Sequence, residues 1–258
     1  MTNTSPDGWV RTDRDGAVLT VTLDRPDQLN AQTPATWAAL RRVADGLDDE
    51  VRVVVVRGAG RAFSAGLDRS LFSTGTDGAG TLGELAGLPA DVAQERIRGY
   101  QQAFRWLRAP GIVSVAAVQG HAIGAGAQLA LACDLRILAE DAQLRLPEVT
   151  LGLVPDLTGT SNLVDLVGYG RALEMCLTGR AVGAAEARAN GIANLVVPSA
   201  ELDGAVADLV AALLAPPVGA SRATAGLIRS AVHNDHEQQD AAEREAQVRR
   251  ISELVSGR

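Results

Sequence analysis

Residues 119–134 read QGHAIGAGAQLALACD, with glycines at 120, 124 and 126. The apolar run at 112–118 just before them reads as a buried strand, and Leu129, Ala130, Leu131 and Cys133 just after them continue as an apolar helix. The pattern is strand, glycine turn, helix. Such a turn leaves backbone N–H groups unpaired at the helix start and lets a ligand come close, because glycine places no side chain in the way. Phosphate is one candidate, but GHAIGAG lacks the Lys-Ser/Thr of a P-loop, and Gly120 and Gly124 are too far apart for GxGxxG. An oxyanion such as a thioester enolate suits the turn equally well. Taken alone, the stretch also fits a plain tight turn that packs a helix on a sheet.

The chain has 258 residues, 47% of them hydrophobic and 21% charged, enough for one sizeable core with a small appended part. No apolar run approaches the ~20 residues of a membrane span, and MTNTSPDG is unlike a secretory signal, so a cytoplasmic location is expected. A net charge of -7 without a basic run argues against nucleic acid. Cys133 and Cys176 both lie in apolar helical patterns and read as buried free thiols rather than a disulfide or metal site.

All 24 basic residues are arginine. The absence of lysine removes Schiff-base chemistry, a pyridoxal phosphate anchor and the P-loop lysine. His121 stands in the glycine turn and reads as a wall residue; His233 and His236 lie in a polar C-terminal stretch, so no metal-ligand spacing arises. No serine occupies a nucleophile elbow. Proton transfer is left to carboxylates.

From the N-terminus, residues 9–12 and 18–23 read as strands joined by a turn at Arg14-Asp15-Gly16. Thr33-Pro34 starts a helix with Trp37, Leu40, Val43 and Leu47 on its apolar face. Residues 51–57 form a β-branched run, the mark of a strand covered on both faces, and lead into GAGRAFSAGLD. Residues 69–91 read as a surface loop and a mobile lid, 95–108 as a helix, 134–138 and 143–146 as strands, and PEVTLGLVPDLTGT as a further loop. Short helices at 162–167, 170–177 and 184–189, a strand at 195–197 and a helical tail from 201 complete the chain, without repeats.

AFSAGLD, GHAIGAGAQLALACD and LPEVTLGLVPD, in this order and spacing, resemble the enoyl-CoA hydratase/isomerase, or crotonase, family. LDRPDQLNA before them and LTGRAVGAAEARANGIANLVV after them are similar to the family's flanking segments, so the likeness runs from about residue 18 to 197. It implies an α/β fold, a spiral of ββα units in stacked sheets. It also implies a core over 1–198 that binds acyl-CoA, and a helical region over 199–258 that makes homotrimers, often paired as hexamers. Coenzyme A is then part of the substrate, and no separate cofactor or metal is expected.

By the same resemblance, the N–H groups of Leu67 and Ala125 form an oxyanion hole. The adenosine end of CoA lies near Leu29, Ala31, Ala62 and Ala65, and Gly66, Asp68, Gly124 and Gln128 complete the binding residues. Arginines must meet the phosphates, since Ala225 stands where many relatives have lysine. Typical hydratases of the family place a water between two glutamates. Here the first position is Gln128, whose amide cannot take a proton at neutral pH. The second is Glu148, and eight residues on Asp156 replaces the usual glycine, an arrangement that resembles dienoyl-CoA isomerases. The residues themselves leave Glu148 open between catalyst and solvated loop residue, and Asp156 between catalyst and a cap of the following turn or helix. Three activities follow: an enoyl- or dienoyl-CoA isomerase, an enoyl-CoA hydratase, or an acyl-CoA binder without turnover.

Overall fold

In the computed structural model, residues 3–4, 9–72 and 80–256 are described. Strand β1 (Asn3–Thr4) pairs with β2 (Val10–Asp15), which forms a hairpin with β3 (Val18–Leu23). Asp15 pairs with Val18, so the turn is Gly16-Ala17, one residue later than the sequence implied, with Gly16 at φ 54°. Helix α1 (Pro34–Asp45) starts where expected: the Thr33 hydroxyl accepts from the Thr36 N–H, and Thr36 returns the bond to the Thr33 N–H. Next come β4 (Val53–Gly58), α2 (Leu82–Ala86), α3 (Ala90–Arg105), β5 (Val113–Val118), β6 (His121–Ile123) and α4 (Ala125–Ala132). The remainder is β7 (Leu135–Ala139), β8 (Gln143–Arg145), α5 (Gly159–Val167), α6 (Tyr169–Thr178), β9 (Ala181–Gly183), α7 (Ala184–Ala189), β10 (Leu195–Val197), α8 (Leu202–Leu214), α9 (Val218–Ala231) and α10 (His236–Val255).

The main sheet has the order β1-β2-β3-β4-β5-β7-β10 and is parallel from β3 onward; a second sheet runs β6-β8-β9. This is the stacked-sheet α/β architecture expected. The valine run of β4 has a reason in it. Val54 and Val56 face the larger core with Trp37, Leu40, Phe63, Phe104 and Leu129, while Val53 and Val55 face Leu202 and Val206 of α8. The tail thus begins as part of the sheet's cover, after a 3-10 turn at Ser199–Glu201. Its last helix exposes Val248, Ile251, Leu254 and Val255 and buries Ala246. Arg250 packs against Gly219 of α9 and pairs with Glu253. Among the described residues, no single helix is long and apolar enough to cross a membrane.

Two expectations need correction. The stretch 69–91 is not loop throughout, since it holds a 3-10 turn at Arg69–Phe72, all of α2 and the start of α3. Thr81 caps α2 by accepting the Glu84 N–H at 3.1 Å, and Glu84 reaches out to Arg96 of α3 at 2.6 Å, so tertiary contacts order a polar sequence. Residues 73–79, in the middle of the expected lid, lie outside the described residues. Second, Cys133 is buried and its thiol pushed up to about 12 by desolvation, whereas Cys176 is only half-buried; both are free.

Helix α4 is buried along its whole length. At its C-terminal end the buried Arg136 donates to the carbonyls of Cys133 at 2.6 Å and Ile192 at 2.6 Å, and Arg108 donates to that of Leu131 at 3.1 Å. These cations meet the negative end of the helix, which leaves its N-terminus aimed at the site.

Candidate active site

The loop after β4 runs alongside β6. The Ser64 N–H donates to the His121 carbonyl and the Ile123 N–H to the Ser64 carbonyl, both at 2.9 Å. Gly66 then turns at φ 86°, and a Cβ there would stand 2.4 Å from the Ile123 oxygen and 3.5 Å from the Ala125 nitrogen. Only glycine lets the two loops come this close. The Gln32 N–H donates to the Gly66 carbonyl at 2.7 Å, and the Asp68 N–H to the Gln32 carbonyl at 2.8 Å. Leu67 lies between these two bonds, and its own N–H has no acceptor among the described residues. Ala125 opens α4, where no intrahelical acceptor exists for its N–H. The structure therefore brings together the two free donors that the sequence proposed.

Behind them is a buried polar scaffold. Ser64 Oγ donates to the Asn30 carbonyl and accepts from Gln32 Nε2, while Trp37 Nε1 donates to Gln32 Oε1. Leu29 and Asn30 sit at φ 50° and 55°, a left-handed pair that Asn30 holds by donating to the carbonyls of Ala59 and Ala62 at 2.8 Å each. Asp68 pairs with Arg25 at 2.6 Å and accepts from the N–H and hydroxyl of Ser70, bonds that hold its carboxyl below the usual range.

A cavity of about 1320 Å³ opens onto this corner. Leu29, Ala31, Ala65, Gly66, Leu67, Asp68, Gly124, Ala125, Gln128, Glu148 and Asp156 all line it. Ala62 does not; it is buried behind the wall, where its carbonyl takes the Asn30 bond. His121 also lines it and is exposed, as are arginines 61, 69 and 145.

Glu148 is 8% exposed, in a 3-10 turn at Glu148–Leu151, so it is not a solvated loop residue. Its Oε1 accepts from Gln128 Nε2 at 2.8 Å, and its Oε2 is buried without a partner among the described residues. Desolvation pushes its carboxyl above the usual range, and the nearby Asp156 charge adds to the rise. Asp156 is raised as well, again by desolvation. It does not cap α5, whose N-cap position is held by Thr158, and no N–H of that helix bonds its carboxylate. A buried carboxyl, Glu148, and a half-buried one, Asp156, both raised by desolvation, line one cavity. That is a general acid and base arrangement.

Several residues of the site escaped the sequence reading. Trp37 and Tyr100 line the cavity, with ring centroids 4.7 Å apart, beside Ile97, Leu82 and Leu85. Trp37 was read only as the apolar face of α1; what brings it to the cavity is α3 crossing α1, which no local pattern encodes. Gln128 was read as a binding residue and as an amide in place of an acid; what the sequence did not disclose is that its Oε1 accepts the N–H groups of Leu157 at 2.8 Å and Gly159 at 3.2 Å.

Comparison with known proteins places this chain in a family. A sequence profile described as enoyl-CoA hydratase/isomerase matches residues 13–256, and the chain belongs to that family. It is 32% identical over 192 residues to the "Probable enoyl-CoA hydratase echA8" of Mycobacterium bovis, covering 74% of this chain and 69% of that protein. It is also 32% identical over 201 residues to the peroxisomal Delta(3,5)-Delta(2,4)-dienoyl-CoA isomerase of Arabidopsis thaliana, covering 76% and 72%. Among solved structures, a "putative enoyl-CoA hydratase from Thermobifida fusca YX in complex with acetoacetyl-CoA" shares 49% identity, with a TM-score of 0.90 and 95% of each chain covered.

Proposed function

We propose that this chain is an enzyme that shifts double bonds along an enoyl- or dienoyl-CoA through an enolate. The observation that supports the reading is that Glu148 and Asp156 line the same cavity, with an amide, Gln128, where a second water-holding acid would stand. The thioester oxygen lies between the N–H groups of Leu67 and Ala125. One ionised carboxylate removes a proton from carbon, and the C–H electron pair moves into the conjugated enolate, whose charge the two donors stabilise. The other carboxyl, protonated, gives its proton to a carbon further along the chain while the double bonds move between. One proton leaves and one arrives, and no water is consumed. Raised carboxyl pKa values suit this work because each acid must be able to hold a proton near neutral pH. The exposed arginines 61 and 69 suit the phosphates of CoA, and no further cofactor is required.

A second reading, addition of water to a trans-2-enoyl-CoA, is favoured by the names of several relatives. A third, acyl-CoA binding without turnover, has no observation of its own. Dienoyl- and enoyl-CoA esters assayed for migration and for 3-hydroxyacyl-CoA separate the three: migration with solvent deuterium incorporation is expected. Brisk hydration without migration overturns the proposal in favour of the hydratase, and binding without either in favour of the third reading. The proposal extends to a homotrimer or dimer of trimers in the cytoplasm. The apolar residues left exposed on α10 support assembly, and sedimentation should give a mass three or six times 26.8 kDa.

A further inference from the structure

The amide of Gln128, only 1% exposed, has its polarity fixed by its surroundings. Two backbone N–H groups, of Leu157 and Gly159, point at Oε1, so the NH2 group must face Glu148 Oε1 at 2.8 Å; the opposite orientation would set donors against donors. The seat is built for it. A Cβ on Gly159 would stand 2.6 Å from Gln128 Cγ and 2.8 Å from its Oε1, so a larger residue there would displace the amide. Leu157 follows Asp156 directly, hence one side chain holds Glu148 at one end and the backbone carrying Asp156 at the other.

We infer that Gln128 is a positioning residue that fixes the spacing of the two acids and confines Glu148 to proton transfer through Oε2. A proton on Oε1 would oppose the Gln128 N–H, so the proton resides on Oε2, the oxygen without a partner. Loss of the amide frees the carboxyl to rotate and unties it from Asp156. The inference rests on the isomerase reading and adds to it a residue that acts through Glu148 and through the backbone beside Asp156.

The test uses Gln128→Leu, Gln128→Glu, Glu148→Gln and the double variant Gln128→Leu/Glu148→Gln, assayed for kcat, KM and deuterium exchange into the acyl-CoA. For Gln128→Leu, kcat should fall ~10-fold or more with KM within about threefold, and the double variant should lose nothing beyond Glu148→Gln alone. Gln128→Glu supplies a second, isosteric probe. Protonated, it donates to Glu148 as the amide does; ionised, it repels it. Its kcat should therefore approach that of the unaltered protein at low pH and fall progressively below it as pH rises, beyond the alkaline limb that ionisation of the proton-donating acid gives both proteins. The other titratable groups that sense Glu148 are Asp156, in its own loop, and Cys176 of α6, and both are common to all variants. Normal kcat in Gln128→Leu, or a loss that multiplies with Glu148→Gln, overturns the inference. If instead Glu148→Gln exchanges deuterium as fast as the unaltered protein, it is the isomerase reading that fails.

Discussion

In the proposed reaction the working groups beside the start of α4 are the main-chain N–H groups of Leu67 and Ala125, whereas elsewhere in the same cavity they are the side chains of Glu148 and Asp156. The two regions are held in different ways. The first depends on close backbone approach: Gly66 and Gly126 admit no Cβ, since one at Gly126 would stand 2.5 Å from the Ser64 carbonyl oxygen. Side chains at 67 and 125 matter little to it, so a leucine and an alanine suffice. The second depends on burial and on one amide, and is sensitive to every atom of the residues that make it. Donors fixed by the fold need no tuning, while carboxyls need an environment that sets when they hold a proton.

The largest effect should come from breaking the first region without touching a side chain of consequence. Proline at the first residue of a helix is well tolerated, because that N–H has no intrahelical partner. Ala125→Pro should therefore fold, with unchanged circular dichroism, yet lose ~10² to 10³ in kcat, the usual cost of one oxyanion donor. A folded proline variant with full activity would remove the turn from the mechanism.

In the second region, Glu148→Gln and Asp156→Asn should each lower kcat by ~10² while leaving acyl-CoA affinity within a few-fold, as general acid-base groups act mainly in the transition state. Isothermal titration beside steady-state kinetics reads both. An Asn variant at 156 with normal kcat would make that residue a bystander. A smaller effect sharpens the contrast between isomerase and hydratase: Gln128→Glu should raise the 3-hydroxyacyl-CoA formed from a trans-2-enoyl-CoA several-fold, because a second base for water is restored. No change in that product would mean that the site cannot hold the water whatever stands at 128.

The two regions also differed in how far the sequence disclosed them. Glycines at 66 and 124 lie beside the donors they serve, and Thr33-Pro34 and the valines of β4 announce their elements locally. Strands β6 and β9 were hidden because each is three residues long and set among glycines that read as turns, Gly120 and Gly124 or Gly179 and Gly183; their partners in β8, such as Leu144 opposite Ala122, are what make them strands. The brace at Gln128 was hidden for a related reason. Its acceptor oxygen is used by Leu157 and Gly159, 29 and 31 residues on, and a pattern search for acids sees only that a carboxylate is missing.

The smallest effect is thermodynamic and follows from the sign of the Glu148 shift. Its folded carboxyl is raised above the ordinary 4.5, chiefly by desolvation. As pH climbs from about 4.5 through the folded value, the unfolded chain releases this proton first, so stability falls across that window and the full penalty stands above it. Glu148→Gln keeps an oxygen to accept the Gln128 N–H but carries no charge to desolvate. It should melt higher than the unaltered protein at pH 7.5, by about 2–4 °C for each kcal/mol of relief, and the gap should close below pH 4, where both forms are neutral. Asp156→Asn should behave in the same direction, since Asp156 is raised from 3.8 by the same cause. No such relief is available at Leu67 or Ala125, where no charge is buried until substrate brings one. Equal melting temperatures at both pH values would mean that Glu148 is better solvated than its 8% exposure implies.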